Sequence, residues 1–197
     1  MAYPSVSGPY GLIPIKLIGG QVFAGSTRLI PIATNSSTAI YFGDVVKLAN
    51  TGTLAKDVGT DSATPVGVFL GCSYTDPTFG KTFRQYYPGT TSITDVMAYV
   101  CDDPDTTFKV AVVSATTAIS YVNRTAVGEN MVLVQNAGNT ITGDSKVAVS
   151  STTATTSTWP IRVLDVVPET QTGVGSYTEV VVKWNAGMHQ YYNPTGV

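Results

Sequence analysis

From Ala39 onward the apolar residues of this chain fall in short runs broken by turn signals, a pattern that leaves room for strands and almost none for helices. The run TEVVVKW at 178–184 is the plainest case. Val180, Val182 and Trp184 share one face, with Glu179 and Lys183 opposite. Val66, Val68, Leu70 and Cys72 share a face in the same way, while Gly67 and Gly71 leave the other bare for another backbone to approach. Further strands are expected at 97–101, 108–113, 131–134, 146–149 and 161–167, and the wealth of Thr and Val suits pleated surfaces. Only 114–122 reads as a helix, and a short one. The expected class is therefore all-β, a small β-barrel or β-sandwich core.

Within that core there is an internal echo. GDVVKLANTG at 43–52 resembles GENMVLVQNAG at 128–138 with one residue inserted. Each is followed by a polar loop and a Pro-led strand, Pro65-Val-Gly-Val and Pro160-Ile-Arg-Val, with Pro at the first strand position, where no interior donor is lost. The residues leave two readings open: the general grammar of hairpins, or two related β modules with a subdivision near 125.

Residues 1–35 read differently. This segment is apolar but aperiodic and punctuated by Pro and Gly, so it is expected to be an extended arm lying on another protein's surface, with residues 36–197 forming the core. Its candidate contact residues are Tyr10, Leu12, Ile13, Ile15, Leu17, Ile18, Phe23, Leu29 and Ile30. On this reading, deleting residues 1–32 leaves a soluble, folded core.

Composition narrows the partners. Charged residues make up 12% of the 197, against an average of about 25%. With 11 Lys and Arg against 13 Asp and Glu, the chain lacks the clustered cations that neutralise phosphates, so no nucleic acid is expected as a partner. A surface so poor in charge suits a protein that works inside an assembly. Cys72 and Cys101 lie in apolar runs and read as buried thiols, with a Cys72–Cys101 bridge as the alternative. The first fifteen residues carry no Lys or Arg and are interrupted by Pro and Gly, unlike a signal peptide or a membrane span, so synthesis in the cytoplasm without membrane association is expected.

The chain offers little for chemistry. His189 has no second His or Cys at ligand spacing and no Gly-x-Ser-x-Gly elbow to serve, so it reads as a tail residue. The acids of Asp102-Asp-Pro-Asp105 could hold calcium, but Asp flanking Pro104 is ordinary turn chemistry and the loop lacks the Gly and distant Glu of an EF-hand. No catalytic residue, metal or cofactor is implied. The aromatics are more telling. Tyr74, Phe79, Phe83, Arg84, Tyr86 and Tyr87 crowd one turn-rich segment, and Tyr191 and Tyr192 form a second group near the C-terminus. They read as interface anchors or as rings packing their own loop, with a sugar-stacking platform as the rival.

GDVVKL at 43–48, a polar turn and TPVGVFLG at 64–71 together resemble the Gly-Asp-x-Val … Pro-x-Gly-Val signature of head decoration, or cement, proteins of tailed bacteriophages. The arm, with GLIPI and FAGSTR, is similar to structural proteins of marine and cyanobacterial phages. The resemblance covers about thirty residues. It implies a small β-barrel with an extended N-terminal arm, forming a homo-oligomer, a trimer above all, that binds the major capsid protein on the outside of the virion. The family has no catalytic residues to carry over. Rival readings are a tail, fibre or adaptor component, and a carbohydrate-binding module.

Overall fold

A computed structural model describes residues 6–171 and 177–197. Twelve strands carry the fold: β1 (Ile13–Leu17), β2 (Arg28–Pro31), β3 (Val45–Leu48), β4 (Leu54–Lys56), β5 (Gly67–Asp76), β6 (Gly80–Arg84), β7 (Met97–Cys101), β8 (Thr106–Val113), β9 (Asn130–Val134), β10 (Ala148–Ala154), β11 (Ile161–Val166) and β12 (Glu179–Trp184). The chain is all-β. Residues 114–122 form no helix; Ala118 and Ser114 close a tight reversal in which Thr116 takes φ +47°, and β-branched Thr116 and Thr117 are weak helix formers.

Five strands close into a barrel in the order β8-β10-β9-β11-β12 and back to β8. The contact between β8 and β10 is parallel and the other four are antiparallel. The second sheet runs β2-β7-β5-β3-β4, all antiparallel, and a parallel bridge between Ile32 and Leu54 brings its two ends together. With that bridge counted, the two sheets have one and the same ring order, β2, β3, β4, β5 and β7 standing where β8, β9, β10, β11 and β12 stand in the other. The echo in the sequence is thus a repeat in the topology. The changeover between the rings falls at 102–105, not near 125.

The repeat extends to single hydrogen bonds. Asp44 closes a turn onto Tyr41 and Glu129 closes one onto Ala126 (2.9 and 3.0 Å), with Gly43 and Gly128 at φ +88° and +90°. Val127, at φ −65° and ψ 125°, gives the second turn its type II geometry, in which the next residue needs a positive φ and hence Gly. Gly43 and Asp44 then exchange bonds with Phe69, as Gly128 and Glu129 do with Val163. The strand registers set Val68 against Arg162, so Val66 corresponds to Pro160 and the two prolines are offset by one.

Each ring encloses a core, and β3 and β5 form the wall between them. Val45 and Val68 face the core of the closed barrel with Phe108, Met131 and Trp184, whereas Val46, Val66 and Phe69 face the other with Tyr74, Tyr87 and Val100. A wall buried on both sides reads as a continuous apolar run, which is why GDVVKL and PVGVFLG do not alternate. The face expected to be shared by Val66, Val68, Leu70 and Cys72 does not form: Val66 and Cys72 turn to one core and Val68 to the other, with a bulge between Phe69 and Cys72 and Leu70 half-buried. Gly67 is indispensable to the wall: a Cβ there would lie 2.1 Å from the Cys101 carbonyl oxygen. Cys72 and Cys101 are buried free thiols in different cores, and burial pushes them up to about 12 and about 11.

The N-terminal segment is extended, but it lies on this chain's own sheets. β1 pairs with the first half of β8 and β2 pairs with β7. Leu12 is wholly buried in one core and Ile30 nearly so in the other. An aperiodic apolar segment finds its partners within the chain when they stand roughly 70 to 100 residues away, as Ile13↔Lys109 and Arg28↔Val100 do.

Candidate interaction surface

The densest polar constellation sits under the wall. The Asp44 carboxylate accepts hydrogen bonds from Lys56 Nζ (2.7 Å), the Tyr41 amide (2.9 Å) and Ser145 Oγ (2.6 Å). Asp44 and Ser145 are wholly buried, so this hydroxyl–carboxylate–ammonium set has no face for a substrate. Its work is mechanical: it latches the loop before β10 onto the turn before β3.

A second cluster ties down both chain ends. Asp102 Oδ2 receives Arg28 Nε at 2.7 Å and the Tyr191 hydroxyl at 2.6 Å, and Arg28 lies over the Tyr191 ring at 5.5 Å. Asp103 caps its own turn through the Asp105 amide, and Asp105 faces Lys183 at 3.7 Å, so the acids of 102–105 serve the changeover between rings. His189 is buried beside them rather than lying in a free tail; its Nδ1 accepts the Tyr191 amide, and burial lowers its pKa below the usual imidazole value. Gln190 bonds both the amide and the carbonyl of Leu48, standing in for a strand neighbour. Side-chain mimicry of this kind leaves no periodicity in the sequence.

The candidate contact residues divide by exposure. Of the arm residues, Leu12 and Ile30 are core, Ile13, Ile15, Leu17 and Phe23 are half-buried, and Ile18 and Leu29 are about half exposed. Tyr10 donates to Glu179, which also faces Lys109 at 3.3 Å. In the aromatic segment, Tyr74 and Tyr87 are core, and the Tyr87 hydroxyl donates to the Ser36 and Thr90 carbonyls. Tyr86 stacks on Tyr41 at 5.5 Å, and Arg84 lies over Tyr74 at 5.9 Å. Tyr74 and Tyr87 are thus turned inward and Tyr86 is half-buried, which leaves Phe79 and Phe83 as the exposed rings of the segment. Phe79 and Phe83 remain 77% and 69% exposed, and Tyr191 and Tyr192 are exposed beside the changeover.

Phe79 and Phe83 belong to a hairpin that the closed barrel lacks. Asp76 accepts the Thr78 and Phe79 amides and Gly80 takes φ +74°, the local chemistry that reverses β5 into β6. Leu29 pairs directly with Tyr99, so their side chains share the outer face of the sheet. Tyr99 shares a groove of about 440 Å³ with Phe42, Leu70 and Phe83. The result is an apolar strip crossing β2, β7, β5 and β6. Phe42, Leu70 and Tyr99 were not legible as surface residues, because a bulge and a neighbouring strand decide which way they turn.

The chain matches no protein-family model, no curated protein and no solved structure. Among the described residues no helix is long and apolar enough to cross a membrane.

Proposed function

We propose that this chain is a structural virion protein that binds the outer surface of a phage capsid and stabilises it by bridging major capsid protein subunits. One observation carries the reading: the apolar strip through Leu29, Tyr99, Leu70 and Phe83 lies on the sheet built by the signature runs GDVVKL and TPVGVFLG. That face is held rigid by two cores and is suited to adhesion rather than reaction. Burying it removes apolar area from water at roughly 25 cal/mol per Å². Assembly as a homotrimer would let three such faces engage at once, converting individually weak contacts into firm attachment. Phe79 and Phe83 then serve as anchors at the edge of the strip.

The test is quantitative mass spectrometry of sedimented particles from a lysate of the source, comparing copies of this chain with copies of the coat protein. A ratio within a few-fold of one is the expected result. A few copies per particle would move the chain to the tail or an adaptor, and absence from particles would end the virion reading.

A further inference from the structure

Ring closure removes sheet edges, and here it removes nearly all of them. β3, β5, β7 and β8 to β12 each have a neighbour on both sides, β2 and β4 meet at the ends of their sheet through the single Ile32–Leu54 bridge, and β1 is flanked by β8 and by the return at Val22. β6 pairs on one side only, with β5, and among the described residues no bridge covers its other edge. Gly80, Lys81, Phe83 and Arg84 are exposed along it. An antiparallel edge of this kind presents alternate N–H and C=O groups outward, the template for an added strand.

The side chains state what that strand should carry. Lys81 and Phe83 share one face of β6 and Arg84 turns to the other. Lys81 has only a loose contact, 3.9 Å, with half-exposed Asp95. A second copy of β6 would gather four cations into a five-residue ribbon, and like charges close together weaken strand pairing. An acidic strand relieves them instead. We propose that β6 is a docking edge for an extended acidic–apolar segment of another protein, added antiparallel, with acids opposite Arg84 and Lys81 and an apolar residue opposite Phe83. Read along the partner, the pattern is acid, apolar, any residue, acid. The inference stands apart from the capsid reading, since it names an edge and a peptide chemistry whatever assembly holds them.

The test uses the full isotopically labelled chain and two synthetic peptides, acetyl-Thr-Glu-Val-Thr-Glu-Val-Thr-amide and the same sequence with Lys for each Glu. Expected are saturable backbone shifts confined to 80–84 and the adjoining half of β5, with binding of the Lys peptide weaker by at least about tenfold, or about 1.4 kcal/mol. The Lys81→Glu/Arg84→Glu double variant, altered only at exposed positions, should reverse that preference, and Phe83→Thr should weaken both peptides. Equal binding of the two peptides, shifts centred elsewhere, or no saturation would overturn the proposal.

Discussion

Ser145 Oγ donates a 2.6 Å hydrogen bond to Asp44 Oδ1 across 101 positions of sequence, with both residues wholly buried. Removing the hydroxyl with Ser145→Ala deprives the carboxylate of one of three donors and should lower stability by about 1–3 kcal/mol. Asp44→Ala strands Lys56 as well and should cost more, on the order of 3–5 kcal/mol. Urea unfolding of the two variants checks the ranking, and equal losses would mean the latch is not organised around the carboxylate.

The paired turns make a sharper comparison. Gly43 and Gly128 share their backbone conformation, but a Cβ at Gly43 meets the Tyr10 carbonyl oxygen at 3.0 Å whereas Gly128 opens onto free space. Gly128→Ala should therefore cost about 1–2 kcal/mol for left-handed backbone alone, and Gly43→Ala distinctly more. Thermal unfolding of both variants reads the difference. Equal costs would mean that crowding adds nothing at Gly43.

Truncation bears on the N-terminal segment. Deleting residues 1–32 strips β1 from β8 and β2 from β7 and opens both cores at Leu12 and Ile30. The truncated chain is expected to be insoluble or unfolded by circular dichroism and proton NMR. A dispersed spectrum from a soluble product would show the segment to be dispensable after all.

The lone histidine gives the fold an acid limit. Burial depresses the folded-state pKa of His189 below its ordinary value of 6.5, so the neutral ring is the one the fold accommodates. Its contribution to stability is complete above pH 6.5 and is lost as the pH falls toward the depressed value. Urea midpoints from pH 7.5 to 4.5 should decline accordingly, and His189→Gln should flatten the part of the decline nearest pH 6. An unchanged slope in that variant would assign the acid sensitivity to the carboxylates.

Much of this fold was legible because burial writes itself into periodicity. β7 was delimited to the residue, and 131–134, 161–167 and 178–184 fell within a residue of β9, β11 and β12, since each alternates or runs apolar without interruption. The repeat was visible through Gly43 and Gly128, whose conformation only glycine adopts readily. What stayed hidden depended on partners distant in sequence. Leu12 and Ile30 look partnerless until β8 and β7 are in place, and Tyr74 and Tyr87 look like surface rings until a core closes over them. Gln190 imitating a strand beside Leu48 and the bulge that redirects Leu70 have no pattern to betray them.

The pairing of β1 with β8 also sets an order on synthesis. β1 leaves the ribosome well before the strand it pairs with, and Ile13 must wait for Lys109 before its backbone is matched. Until then its apolar residues are exposed to any other unpaired strand in the cell. Long-range pairing of this kind folds slowly and gives aggregation its opening. A chaperone that holds the N-terminal thirty residues during translation should therefore raise the yield of native protein more than one that acts after release.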